Sequence, residues 1–253
     1  MKFLLSLSLS LLLFSFPIGA IELNELQFLT EEYPPYNFTQ DGETKGISID
    51  LLIAAAKSEG IEIKKEDIKV QPWARAYRTT LIKPDAVLFS TTRTRLREHL
   101  FQWVGPLSET RIVVMAKKSR QISIENTIDF AQYRIGVIRD DVGEQLMLEL
   151  GVPRDSMQEN SVAETLAQQL AKGRIDLWAY EENVAKWWIK QIGYDTSDFE
   201  AVFVLREGEL YYAFNLAVDE KLTEKLQRGI DEMKNTIGEA GMSKYQEIVD
   251  TYR

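Results

Sequence analysis

The sequence contains no cysteine and a single histidine, His99. Zinc sites are built mainly from these two residue types, and nucleophilic catalysis usually pairs a cysteine or serine with a histidine. His99 ends the charged segment Leu96–His99, where we expect it to be exposed. A glycine-rich phosphate loop and an EF-hand spacing are also missing. We therefore expect no metal, no cofactor and no enzymatic activity, with catalysis by carboxylates alone as the enzymatic alternative.

The amino-terminus carries the one long apolar run. Lys2 precedes the run from Phe3 to Phe16, which is shorter than the roughly 20 residues that a spanning helix needs. Pro17 and the small pair Gly19-Ala20 follow, as in a cleaved signal peptide over residues 1–20. An uncleaved anchor is the alternative. Bacterial lipoproteins carry lipid on a cysteine after the signal, so we expect no lipid anchor and a soluble periplasmic protein.

Positive charge is scarce, because 30 Lys and Arg residues stand against 39 Asp and Glu residues. The resulting formal charge of −9 repels phosphate backbones and anionic membrane surfaces. We therefore expect no nucleic-acid partner. The hydrophobic share of 45% is enough to build the core of one large domain or of two lobes.

Apolar runs alternate with helix-like periodicity along the chain. Leu26–Thr30 and Ala86–Phe89 are typical of strands, and Ile49–Ala56 is typical of a helix. The pattern then begins again with a strand at Arg134–Ile138 and a helix at Val142–Leu150. This alternation predicts an α/β fold of mainly parallel sheets flanked by helices, whose ligands bind at the carboxyl ends of the strands.

Hydroxyl and arginine side chains follow the strand Ala86–Phe89. Ser90 and Thr92 come first, and Arg97 follows within a few residues. A guanidinium group pairs both oxygens of a carboxylate, and hydroxyls add further donors. A ligand-carboxylate site and a solvated basic turn explain this segment equally well.

Three aromatic residues fall on loops at the same predicted sheet edge. Tyr33, Tyr36 and Trp73 are candidates for ligand contact, although aromatic side chains more often belong to a core. The additional arginines Arg75 and Arg93 either bind a second acidic group of a ligand or pair with surface acids.

Five motifs occur in an order and spacing that resembles a known family. They are YPPYNF at 33–38, Gly46-x-x-x-Asp50-Leu51, the Trp73 helix, Thr94-x-x-Arg97 and Arg174-Ile175-Asp176. The sequence resembles bacterial extracellular solute-binding proteins, family 3, the polar amino-acid receptors of ABC importers. The resemblance implies a type II periplasmic-binding-protein fold, with two α/β lobes that are joined by two crossovers and close by a hinge. The expected lobes are 21–110 with 208–253, and 111–207.

The resemblance also implies roles for residues of the first lobe. Tyr33 and Trp73 are expected to enclose the ligand side chain, and Ser90 and Thr92 to form hydrogen bonds with it. Arg97 matches the family arginine that binds the α-carboxylate. The implied function is capture of a small amino-acid-like solute and its delivery to an ABC permease, and we expect the chain to act as a monomer.

The second lobe departs from the family pattern at two positions. Asp141 lies in the loop where the family has a glycine-threonine pair that caps the carboxylate, so a free carboxylate is less favoured from that side. Glu181 occupies the position of the aspartate that binds the α-ammonium group. Two other functions stay open: a soluble sensor for a signalling partner, and a periplasmic dehydratase of the same fold with Glu181 as its acid.

Overall fold

The computed structural model describes residues 21–252, so the predicted signal peptide at 1–20 lies outside the described residues. Ten strands and seven α-helices lie between residues 21 and 252, and the predicted α/β class is confirmed. The strands are β1 Gln27–Thr30, β2 Phe38–Gln40, β3 Glu43–Lys45, β4 Lys69–Val70, β5 Ala86–Thr92, β6 Phe101–Lys117, β7 Ile135–Ile138, β8 Met157–Asn160, β9 Leu177–Glu181 and β10 Phe199–Asn215. The helices are α1 Ile47–Ser58, α2 Trp73–Ile82, α3 Val142–Glu149, α4 Ala163–Ala171, α5 Glu182–Gln191, α6 Glu220–Asn235 and α7 Lys244–Asp250.

Eight of these strands form one sheet in the order β4-β1-β5-β10-β6-β9-β7-β8. The first strand group, β4, β1 and β5, is parallel, and so is the second strand group, β9, β7 and β8. Strands β5, β7 and β9 are buried along their whole length, as expected for parallel strands covered on both faces. The continuous apolar runs in the sequence therefore mark interior strands of the sheet.

Strands β6 and β10 join the two groups. Each is 17 residues long, and they pair antiparallel from Phe101–Asn215 at one end to Lys117–Phe199 at the other. The sequence predicts separate strands at Phe101–Trp103 and Ile112–Met115 where β6 runs, and at Ala201–Leu205 and Tyr211–Val218 where β10 runs. Those predictions are too short, because polar residues interrupt the apolar pattern while the backbone ladder continues.

The helices divide between the two groups. Helices α1, α2, α6 and α7 pack around the first group, and α3, α4 and α5 pack around the second. The last two helices thus return to the part of the fold in which the chain began. No helix within residues 21–252 is long and apolar enough to cross a membrane.

Helices α1 and α6 touch backbone to backbone at Gly229. A Cβ atom at Gly229 would lie 2.2 Å from the carbonyl oxygen of Ala55, so only glycine fits this contact. The close approach fixes the carboxyl-terminal helices to the first strand group.

We expect Gly229→Ala to lower the free energy of unfolding by about 1–3 kcal/mol, the usual cost of overpacking. Helix propensity alone would instead favour alanine by up to about 1 kcal/mol. Urea denaturation followed by circular dichroism measures the difference, and Glu224→Ala on the exposed face of α6 is the control. A more stable Gly229→Ala protein would contradict the observed helix contact.

Candidate ligand-binding site

Three carboxyl groups and one guanidinium group meet where parallel strands end. Glu31 directly follows β1, Asp141 precedes α3 at the end of β7, and Glu181 is the last residue of β9. We call these three residues the acidic cluster. Arg97 lies in the loop after β5. Because the carboxyl ends of both strand groups face each other, residues more than 100 positions apart in sequence share one site.

Arg97 is buried, with 1% of its surface exposed. Its Nε donates to Gln145 Oε1 at 3.0 Å, Nη1 to the Thr92 carbonyl at 3.4 Å and Nη2 to the Asp140 carbonyl at 3.4 Å. Burial lowers the pKa of Arg97, and the charge of Asp141 acts in the opposite direction. A guanidinium group keeps its charge under such a shift because its ordinary pKa is so high.

Trp73 and Tyr77 form an aromatic face for this guanidinium group. Their rings stack with centroids 5.6 Å apart, and the Arg97 guanidinium carbon lies 5.2 Å from each centroid. Both residues lie in the first two turns of α2. Cation–π attraction therefore holds the arginine in one orientation.

Asp140 connects the two strand groups. Its backbone has a φ of 61°, in the left-handed region, and its carbonyl oxygen accepts hydrogen bonds from Trp73 Nε1, Arg97 Nη2 and Gln145 Nε2. Its carboxylate pairs with Arg78 at 2.7 Å. Three of these four partners belong to the first strand group, so the loop after β7 is fastened directly to α2 and to the loop after β5.

Glu181 is fully buried and caps the amino-terminus of α5. Its carboxylate accepts from the Val184 amide at 2.7 Å, from Asn183 Nδ2 at 3.3 Å and from the Tyr36 hydroxyl at 3.5 Å. All three partners are neutral. Burial raises the pKa of Glu181 to about 7, although the hydrogen bonds act against that rise.

Asp141 is 4% exposed, and its Oδ2 has no hydrogen-bond partner in the part of the chain that the structure describes. Burial raises the pKa of Asp141, and the charge of Arg97 opposes this effect. Glu31 is half-buried, and its pKa lies well above the ordinary value because of burial and the nearby Asp141 charge. Arg97 is the cation whose charge acts on both Glu31 and Asp141.

Tyrosine rings fill the space beside the acidic cluster. Tyr33 meets Tyr36 with centroids 5.6 Å apart and Tyr180 edge to face at 5.7 Å. The Tyr180 ring also stacks on Trp178 at 5.0 Å. The Tyr180 hydroxyl is buried without a partner among residues 21–252. Burial, and then the charges of the three acidic-cluster residues, raise the pKa of Tyr180.

The structure therefore brings together six of the residues that the sequence singles out. They are Tyr33, Tyr36, Trp73, Arg97, Asp141 and Glu181. The sequence does not single out Glu31 or Tyr180. Tyr180 is hidden in an apolar run, whereas the position of Glu31 directly after a predicted strand is a signal that could have identified it.

Ser90 and Thr92 are buried and form hydrogen bonds with neighbouring residues of the protein. The Ser90 hydroxyl lies 2.5 Å from Asn37 Oδ1 and 2.8 Å from the Ser48 hydroxyl, and its φ is 47°. Thr92 offers its carbonyl to Arg97. These two residues support the site from the β5 side.

Arg75 and Arg93 lie apart from the acidic cluster. Arg75 is exposed and lines an outer cavity of about 450 Å³ on α2. Arg93 pairs with Glu98 and lies over the ring of Trp103. Of the two interpretations open for Arg93, pairing with a surface acid is the one that the structure shows.

Two cavities border the site. One measures about 350 Å³, and its charged lining residues are all acidic: Glu31, Glu32 and Glu164. The other measures about 540 Å³ and contains Tyr36 and Asn183 together with two lysines, Lys186 and Lys190. The acidic cavity borders the acidic cluster at Glu31, which belongs to both.

The sequence profile of bacterial extracellular solute-binding proteins, family 3, matches residues 26–252. The chain belongs to this family. Among its relatives is the arginine-binding extracellular protein ArtP of Bacillus subtilis (strain 168), 23% identical over 211 residues that cover 81% of this chain and 78% of the relative. A probable histidine-binding protein of Campylobacter jejuni is 23% identical over 206 residues, covering 80% and 76%.

Solved structures confirm the predicted type II periplasmic-binding-protein fold of this family member. An ancestral arginine-binding protein bound to arginine matches with a TM-score of 0.73 and 23% identity, over 90% of this chain and 97% of that one. A histidine kinase sensor domain matches with a TM-score of 0.74 and 16% identity, over 89% and 95%. The same fold thus occurs in a binding protein and in a sensor domain.

The raised pKa of Glu181 makes stability depend on pH. The folded protein holds this proton up to about pH 7, whereas an unfolded glutamate loses it near pH 4.3, so stability falls as pH rises through this interval. We expect Glu181→Gln, which keeps an acceptor for the Val184 amide, to raise the free energy of unfolding at pH 8 by on the order of 1–3 kcal/mol. Near pH 5 the two proteins should be nearly equal.

Glu182→Gln is the matched control, since Glu182 is paired with Arg111 and Lys186 and its pKa is lowered. This substitution should leave stability unchanged or reduce it at pH 8. Denaturant titrations at the two pH values give the comparison. If Glu181→Gln instead destabilises the protein equally at pH 5 and pH 8, ionisation of Glu181 does not reduce the stability of the folded protein.

Proposed function

We propose that this chain is a periplasmic receptor that captures a small amino-acid-like solute and delivers it to an ABC permease without changing it chemically. The observation that carries the proposal is the set of buried polar groups at the facing strand ends, with Arg97, Asp141 and Glu181 each less than 5% exposed. Among them Asp141 Oδ2 has no partner within the described residues, which suits a solute that completes its hydrogen bonds. The amino-acid receptors among the relatives support the same assignment.

In this proposal the aromatic residues Tyr33, Tyr36 and Trp73 enclose the solute, and Arg97, Asp141 and Glu181 bind its polar groups. Ser90 and Thr92 form the wall behind them. Arg75 lies outside the proposed site because its side chain is exposed on α2.

The two strand groups are proposed to act as lobes that close around the solute. We place the first lobe at 21–110 with 208–253 and the second at 111–207. Both boundaries fall on neighbouring rungs of one ladder, since Thr110 pairs with Gly208 and Arg111 with Glu207. Closure then bends β6 and β10 together, which is a hinge made of two paired strands.

Export through a signal peptide at 1–20 completes the proposal and places the receptor in the periplasm. A soluble sensor is the second candidate, because the fold is shared with a histidine kinase sensor domain. We do not propose the dehydratase alternative, since its candidate acid, Glu181, is engaged as the cap of α5.

A thermal-shift screen of the chain from residue 21 onward tests the receptor role. Amino acids, small carboxylates, amines and polyamines are the library. A solute at one hundred times its dissociation constant should add about 2.7 kcal/mol of stability. The proposal is wrong if the screen finds no solute in any of these classes that stabilises the protein.

Arg97→Lys should weaken binding of the solute found in that screen by roughly tenfold to a hundredfold. An ammonium group cannot reproduce the planar donors that reach Gln145 and Asp140 or the stack on Trp73. Calorimetry measures the change, with Arg95→Lys as the control because Arg95 is exposed in the same loop. Equal affinities for the wild type and Arg97→Lys would remove Arg97 from the site.

A further inference from the structure

Negative charge exceeds positive charge inside the proposed site. Three carboxyl groups, Glu31, Asp141 and Glu181, lie near Tyr180, and Arg97 is the one cation among the groups that perturb Glu31 and Asp141. The cavity next to the cluster adds Glu32 and Glu164. Burial raises the pKa of all three carboxyl groups, and the charge of Asp141 raises that of Glu31 further, so a bound cation would stabilise their ionised forms.

Arg97 is also poorly placed to receive a carboxylate from a solute. Its Nε and both terminal nitrogens already donate to Gln145, Thr92 and Asp140. The charge of Asp141 acts directly on Arg97. Two of the five guanidinium N–H donors remain for a solute, but a carboxylate there would approach the buried Asp141 carboxylate.

Two unpartnered polar atoms can accept hydrogen bonds from a solute. Asp141 Oδ2 and the Tyr180 hydroxyl are both buried, and neither has a hydrogen-bond partner within the described residues 21–252. The charges of all three members of the acidic cluster raise the pKa of Tyr180, and its ring meets Tyr33 edge to face at 5.7 Å. An ammonium or guanidinium group supplies several N–H donors at once and would satisfy both atoms.

We infer that the solute is a short molecule with a cationic nitrogen group at each end and no free carboxylate. One end binds between Asp141, Glu31 and the Tyr180 hydroxyl. The other end extends into the acidic cavity of about 350 Å³ beside Glu32 and Glu164. This inference rests on the proposed receptor function and names the chemical class of its solute.

Calorimetry with three matched pairs tests the inference: arginine with agmatine, ornithine with putrescine, and lysine with cadaverine. The members of each pair differ only in the carboxylate. We expect at least one amine to bind at least tenfold more tightly than its parent amino acid. An amino acid that binds as tightly as its amine in every pair that binds would overturn the inference and leave the receptor function standing.

The remaining outcomes separate the two proposals. If none of the six compounds binds while the thermal-shift screen finds another solute, the inference fails and the receptor function holds. If no solute of any class binds, both fail.

Asp141→Asn tests the residue that carries the selectivity. This substitution removes the charge and keeps the shape, so the affinity ratio of amine to amino acid should fall at least tenfold. Asp155→Asn, an exposed acid of the same strand group, should leave the ratio unchanged. An unchanged ratio in Asp141→Asn would overturn the role of Asp141.

Tyr180→Phe provides a second variant that does not depend on the folding of the first. It removes only the unpartnered hydroxyl and keeps the stack on Trp178. We expect amine affinity to fall severalfold while the melting temperature of the empty protein is unchanged or higher. Full amine affinity in this variant would contradict the assigned position of the cation.

Discussion

The burial of carboxylates between two sets of strand ends is the constraint on which the rest of the site depends. Desolvation penalises each charge, and the protein reduces that penalty with local hydrogen-bond donors and with the single guanidinium group of Arg97. Glu181 receives three neutral hydrogen bonds, and both Glu181 and Asp141 lie at helix amino-termini, where the backbone dipole favours negative charge. This arrangement tolerates the acids and leaves room for a positively charged partner.

Arg97 and Asp140 turn that charge arrangement into a fixed geometry. The arginine lies against Trp73 and Tyr77, and the left-handed backbone of Asp140 directs its carbonyl oxygen toward Trp73 and Arg97. A non-glycine residue in this conformation is strained, and the hydrogen bonds to its carbonyl offset part of that strain. The same few atoms therefore connect the two strand groups and shape the site.

The sequence is informative where apolar periodicity and strand ends coincide. It predicts the α/β class and the main helices, because those features follow from local patterns and from parallel strand direction. The placing of Asp141 and Glu181 in one site with Arg97 comes from the resemblance to the family. It does not reveal the full length of β6 and β10, since ladder hydrogen bonds continue through polar residues such as Glu207 and Glu209.

Side-chain partners are equally hidden in the sequence. That Ser90 bonds Asn37 and Ser48, that Arg75 faces outward and that Tyr180 has no partner all depend on contacts between distant segments. Such contacts cannot be predicted from residue type alone.

The paired strands β6 and β10 have a mechanical consequence. They form a two-stranded ribbon that is hydrogen-bonded across its whole length and interrupted by irregularities at Ala201–Phe203, Val204–Arg206 and Leu210–Tyr212. Such a ribbon resists sliding and stretching, because either would break many ladder bonds at once, but it flexes across its flat face where bulges already bend it. Relative movement of the two strand groups is therefore easiest as a bend perpendicular to the face of this ribbon.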